Sequence, residues 1–234
     1  MPKFSLLAAD PPWVFADSLT MSDVARGAAA NYPTLTVDQL CLLPVAEVVA
    51  DQALLALWCP STLLEDGLRV MKAWGFDYKQ TWIWVKTSSH DNLLAQALAD
   101  MKLKTTAIKA VIRGLAGLHI IHPNGRGLAF GMGHLGRNCH EVVLIGTRGR
   151  VGSLVDSRRE RTVFLAPNLR HSRKPNELQR RLERLIPQGE RLELFARRSL
   201  ANWTTVGDQC PDTLGVDIRD WLGDRIQAMH EEGQ

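Results

Sequence analysis

The stretch that decides the fold is Phe4-Ser5-Leu6-Leu7-Ala8-Ala9-Asp10-Pro11-Pro12-Trp13. A short apolar run, Phe4 to Ala9, stops abruptly at an acid and two prolines. Such a run reads as a buried strand, and its carboxyl end opens into an irregular loop because proline fixes φ and removes the N–H donor. What remains there is rich in acceptors: the Asp10 carboxylate and the Pro11 carbonyl, with the aromatic face of Trp13 beside them. That set suits a neutral amine held in plane and stacked on a ring. The amino group of adenine has two N–H donors and a conjugated lone pair. Hydrogen bonds to Asp10 and the Pro11 carbonyl would draw its nitrogen toward tetrahedral geometry and expose that pair to a methyl sulfonium held in line. The same four residues also fit an ordinary strand-ending turn.

Outward from this point, strands are expected at Gln52–Trp58, Phe76–Thr87, Glu141–Thr147, Arg161–Leu165, Arg191–Ala196 and Trp203–Val206. A helix is expected from a Thr62/Glu65 capping box to Trp74, with Gly75 closing it. Pro175 suits a first helical turn, and Leu178, Leu182, Leu185 and Ile186 follow at helical spacing up to Pro187. Asp217–His230 reads as a C-terminal helix. The segment from Val14 to Tyr32 is small, polar and aperiodic and reads as a mobile loop. Ser88 to Leu118 looks helical in two pieces, broken near Lys102–Thr105. Strands alternating with helices imply an α/β domain with a mainly parallel sheet, in which ligands sit outside the carboxyl ends of strands. Asp10 lies at such an end.

With 234 residues and 45% hydrophobic content, the chain is read as a single domain, 1–234, able to bury roughly 70% of its unfolded surface without metal or disulfide. Cys41, Cys59, Cys139 and Cys210 form no CxxC pair. They are expected to be reduced thiols of a cytoplasmic protein, with no metal bound. The N-terminal apolar run is too short for a signal peptide or a membrane span. Net charge is +3, but Thr147–Arg198 holds 14 Lys and Arg against six Asp and Glu. A basic segment on a near-neutral protein suits a polyanion, though arginines on solvated helix faces would give the same count.

The blocks together resemble a known family. Asp10-Pro11-Pro12-Trp13 resembles the catalytic tetrapeptide of amino methyltransferases acting on adenine, in the branch that includes the catalytic subunit of eukaryotic mRNA adenosine methyltransferase and small bacterial and phage relatives. Trp82-Ile83-Trp84-Val85-Lys86-Thr87 is similar to that family's aromatic strand. Arg137-Asn138-Cys139-His140-Glu141, running into Val142–Gly146, resembles its next signature. His171-Ser172-Arg173-Lys174-Pro175-Asn176-Glu177 resembles its helix start. Glu193-Leu194-Phe195-Ala196-Arg197 and Trp203 with Gly207-Asp208-Gln209 resemble its closing blocks, Asp208 standing where the family has Asn.

The resemblance implies a Rossmann-like, S-adenosylmethionine-dependent methyltransferase with the catalytic block first and the cofactor strand late. Asp10, Pro11, Pro12 and Trp13 would be catalytic. Glu193 would accept from the cofactor's ribose hydroxyls, and Lys174 would meet its amino-acid carboxylate near a helix N-terminus. Phe195, Arg197, Asp208 and Gln209 would complete that pocket. Tyr32, Trp84, Lys86, Arg137 and Glu141 would face the target nucleotide. Arg137, Arg170 and Arg173 would hold phosphates. DNA is the expected substrate, because the chain carries no zinc-finger spacing, RNA-binding motif or long helical extension. RNA is the first alternative, and a catalytically silent nucleic-acid-binding subunit the second. Residues 88–128, with Lys102, Lys104, Lys109 and Arg113, are expected to serve target recognition, and 211–234 to form a helical tail. Monomer and homodimer both stay open.

Gly131-Met132-Gly133-His134-Leu135-Gly136 matches a dinucleotide fingerprint, with Asp156 about 20 residues on. The fingerprint needs a strand before it and a helix after. Here a loop precedes and a strand follows, so a nicotinamide or flavin enzyme is not expected.

Overall fold

A computed structural model describes residues 1–14, 34–87, 106, 127–129, 131, 135–156, 159–168 and 173–233. Tyr32, Arg170, Lys102, Lys104, Lys109, Arg113, nearly all of the expected 14–32 loop and most of 88–128 lie outside them.

Among the described residues, seven strands form one mixed, mostly parallel sheet. They are β1 (Phe4–Ala9), β2 (Val49–Cys59), β3 (Asp77–Thr87), β4 (His140–Arg148), β5 (Val163–Pro167), β6 (Arg191–Leu194) and β7 (Thr204–Val206). Their order across the sheet is β5-β3-β4-β2-β1-β6-β7. Helices α1 (Val37–Cys41), α2 (Val45–Val48), α3 (Leu64–Ala73), α4 (Glu177–Leu185) and α5 (Ile218–Glu232) connect and flank the strands. This is the Rossmann-like α/β class expected from the sequence, with β4 antiparallel to β2.

The described residues group into two compact units. The first comprises 1–81, 142–160 and 179–234. At its centre β1 pairs in parallel with both β2 and β6, and β6 pairs in parallel with β7. All six residues of β1 are buried, as an apolar run closed on both faces must be. Because β1, β6 and β7 run the same way, their carboxyl ends share one edge. That edge carries Asp10, Phe195 and Gly207.

Three local differences have physical causes. The expected Thr62/Glu65 box does not form: Ser61–Leu63 makes a 3₁₀ turn, Leu63 N–H donates to the Pro60 carbonyl at 2.9 Å, and the helix begins only after it. A capping box forms instead at Thr36 and Gln39, opening α1. That helix and α2 hold five and four residues, too few for a period to show. Gly75 does close α3, with φ +83°, where a side chain would be strained.

The second unit comprises 82–141 and 161–178. Within it the carboxyl half of β3 pairs in parallel with β5, from Ile83–Val163 to Thr87–Pro167. Gly131 exchanges both backbone hydrogen bonds with Asn138, and a Cβ on it would lie 2.5 Å from the Asn138 carbonyl. This glycine therefore serves close backbone approach rather than a phosphate-binding turn.

Candidate active site

In the first unit, the site is built at the carboxyl edge of β1, β6 and β7. The Asp10 N–H donates to the Leu194 carbonyl at 3.4 Å, one step beyond the ladder, so the acid leaves β1 beside the end of β6. The two prolines then close a tight turn: Trp13 N–H donates to the Pro11 carbonyl at 2.9 Å, and Leu35 N–H to the Pro12 carbonyl at 3.0 Å. The Pro11 carbonyl thus has one acceptor position committed and one remaining. Asp10 and Pro12 are half-buried, Pro11 and Trp13 buried.

Trp13 departs from the stacking platform expected of it. Its ring is 4% exposed and belongs to the hydrophobic core, and its Nε1–H donates to the Trp58 carbonyl at 3.0 Å. An indole N–H that is buried takes the nearest carbonyl, and this one stands near the carboxyl end of β2. Trp13 therefore anchors the turn that holds Asp10.

Glu193, on β6, is 8% exposed. Burial pushes its carboxyl up to about 7, against the pull of Arg198 and of a hydrogen bond from Gln179; the nearby Asp10 adds to the rise. Arg198 Nη2 lies 4.0 Å from Glu193 Oε1. Glu193 Oε2 is buried and has no hydrogen-bond partner. A buried acceptor left without a donor costs about 1–3 kcal/mol, so it fits a ligand hydroxyl. The strand then ends with Phe195 at φ +60°, a conformation costly for a bulky side chain and frequent at ligand sites. Ala196 N–H is bonded to the Val206 carbonyl at 2.8 Å. Across from it, a Cβ on Gly207 would meet the Ala196 carbonyl oxygen at 2.2 Å, so only glycine fits. This close crossing brings half-buried Arg197 to the same edge as exposed Asp208 and Gln209. The donor and acceptor set fits an adenosyl cofactor with a ribose diol.

In the second unit, Lys86, Glu141 and Lys174 form one cluster. Lys86 Nζ is 2.6 Å from Glu141 Oε1 and Lys174 Nζ 3.1 Å from Oε2. Burial alone would raise the Glu141 carboxyl; Lys174 and Lys86 override it and hold the group below its usual range. The expectation set Lys174 with the cofactor and the other two with the nucleotide; the structure brings all three together. Trp84, expected to face the nucleotide, is 1% exposed, with Nε1–H donating to the Ala166 carbonyl at 3.0 Å and Lys86 Nζ 5.2 Å from its ring centre. Like Trp13 it is a core residue. Arg137 is exposed.

Sequence reasoning missed Gln179 and Arg198. A signal existed for the first: Gln179 falls in helical step with Leu182 and Ile186, a polar residue on an apolar stripe. Among the described residues, no three His, Cys, Asp or Glu are grouped to hold a metal, and no helix is long and apolar enough to cross a membrane.

Comparison with known proteins fits this arrangement. The chain is 28% identical over 234 residues to a probable N(6)-adenosine-methyltransferase MT-A70-like protein of Oryza sativa, covering 99% of this chain and 26% of that protein. It is 27% identical over 209 residues to the human N(6)-adenosine-methyltransferase catalytic subunit METTL3, covering 88% and 28%. Against the type II methyltransferase M.MunI of Mycoplasma it is 23% identical over 225 residues, covering 90% and 79%. The chain thus spans about a quarter of the rice and human relatives. The MT-A70 family model matches residues 4–114 and 119–209, which takes in the Asp10 turn, the Lys86–Glu141–Lys174 cluster and the Glu193 edge, so the chain belongs to the MT-A70 family.

Proposed function

We propose that this protein transfers a methyl group from S-adenosylmethionine to the N6 amino group of adenine in nucleic acid, with DNA as the substrate. The observation that carries the reading is the carboxyl edge of β1 and β6, where a double-proline turn holds Asp10 beside a buried, unsatisfied Glu193. When bound, S-adenosylmethionine supplies an electrophilic methyl on a sulfonium. Asp10 accepts one amino N–H, and the remaining acceptor position of the Pro11 carbonyl accepts the other. Together they fix the nitrogen with its lone pair directed at the methyl group, and Asp10 stabilises the charge that develops there. Trp13 holds the turn rigid from beneath. Glu193, with Phe195, Arg197, Asp208 and Gln209, holds the cofactor. Lys86, Glu141, Lys174 and Arg137 serve nucleotide and cofactor recognition, and the whole chain, 1–234, acts as one methyltransferase domain in a reducing cytoplasm.

An adenine in a duplex must leave the stack before its amino group can reach a carboxylate set in a strand-end turn. DNA is supported by the likeness to the type II methyltransferase, whereas other relatives are adenosine-methyltransferases. Those same relatives support RNA as the second reading. The test is incorporation of labelled methyl into duplex DNA, single-stranded DNA and RNA of one sequence. Preference for either DNA is expected. A strong preference for RNA overturns the choice of substrate, and no transfer to any of them favours a silent binding subunit.

A further inference from the structure

Gln179 belongs to no block that carried the resemblance, and nothing in the reaction so far uses it. It sits in α4 at 3% exposure, a polar side chain on the helix face that buries Leu178, Leu182 and Ile186. Its side chain hydrogen-bonds Glu193. After that bond two buried acceptors still lack donors, one on each partner: Gln179 Oε1 and Glu193 Oε2. Two such vacancies on one bonded pair point to a shared missing donor group.

Resting on the cofactor site proposed above, we infer that Gln179 is a positioning residue, whose amide orients the Glu193 carboxyl and joins it in receiving the two hydroxyl donors of the cofactor ribose. An amide N–H given to one carboxylate oxygen turns the other oxygen toward the ligand and favours the ionised form that accepts best. In the free protein the vacancies are met differently. A proton on Glu193 Oε2 makes that oxygen a donor and relieves the pair of one unmet acceptor. Cofactor binding then replaces this proton with a ribose hydroxyl and releases it to solvent. The charged groups acting on Glu193 are Arg198, after β6, and Asp10, after β1; α4 contributes the neutral Gln179 and β7 the neutral Thr205. Since burial holds the Glu193 carboxyl near 7, the exchange falls in an accessible range.

The test is calorimetry of S-adenosylhomocysteine binding from pH 5.5 to 8, on wild type, Gln179→Met and Glu193→Gln. Wild-type affinity should rise about 10-fold or more over this range, and binding at pH 6 should release a measurable fraction of a proton in buffers of different ionisation enthalpy. Gln179→Met, close in volume, should weaken binding about 10-fold at pH 7 and move the rise to higher pH, as loss of one charge-assisted bond requires. Glu193→Gln should weaken binding and abolish the pH dependence. Unchanged midpoint and affinity in Gln179→Met, with Glu193→Gln impaired, overturns the role of Gln179 alone. Normal cofactor affinity in Glu193→Gln overturns the cofactor site itself. Should Gln179→Met not fold, the wild-type proton count decides: no release at pH 6 overturns the inference.

Discussion

At the scale of single residues, two carboxylates behave in opposite ways, Glu193 in the first unit and Glu141 in the second. Glu193 is raised by burial, so its folded value lies above its unfolded one. Its contribution to stability is therefore complete below about 4.5 and lost as pH rises through about 7. Urea unfolding of the free protein should show up to ~3 kcal/mol lost across that window, and Glu193→Gln should flatten the loss. Glu141 behaves the other way. Lys174 and Lys86 overcome its burial and hold it low, so its stabilisation is present above the ordinary carboxylate range and lost as pH falls through its lowered value. Glu141→Gln leaves two half-buried ammonium groups with a weaker partner and should cost about 1–3 kcal/mol at pH 7. Equal urea midpoints for wild type and Glu141→Gln would show that the cluster is too solvated to matter. The residue scale also marks what the sequence hides. Asp10 stood out because an acid ending an apolar run has few structural uses, whereas Glu193, set between Leu192 and Leu194, stood out only through the family resemblance. Trp13 and Trp84 were not, because an indole reads alike as platform or core, and only the carbonyls of Trp58 and Ala166 decide between them.

Among the elements, the seven strands were legible in place and order of appearance, most of them because a buried strand is apolar nearly throughout and ends at Pro, Gly or charge; β3 is the exception, its first four residues being exposed. The antiparallel β4 was not, because direction leaves no mark on a strand buried on both faces. Helices α1 and α2 escaped notice through shortness. The element joint that matters most is the crossing of the β6 end over Gly207. Gly207→Ala places a Cβ against the backbone of Ala196, which has no rotamer to yield. It should cost about 1–3 kcal/mol by urea unfolding and weaken cofactor binding, because Asp208 and Gln209 must move with it. A variant with wild-type stability and affinity would show that this crossing opens freely.

For the whole molecule, the excess of basic residues between Thr147 and Arg198 is only partly available to a polyanion. Arg181 and Arg184 are spent on Glu160, at 3.1 and 2.6 Å, and Arg198 lies 4.0 Å from Glu193. Composition shows the surplus and conceals these pairings. Arg137 and Arg173 are exposed, and the nucleic-acid reading assigns them to phosphates. Arg137→Gln and Arg173→Gln should each reduce the salt slope of polynucleotide binding by about one and leave cofactor affinity unchanged. An unaltered slope in both would move the nucleic-acid surface elsewhere. Asp10 is the residue on which the chemistry turns. Its test pairs two readouts on wild type and Asp10→Ala: labelled methyl transferred to adenine-containing duplex DNA, with the product resolved as N6-methyladenine, and calorimetric affinity for S-adenosylhomocysteine. Asp10→Ala should lose ~10²-fold or more in transfer while affinity stays within a few-fold. Transfer within a few-fold of wild type, or a methyl found on any atom but N6, would contradict it.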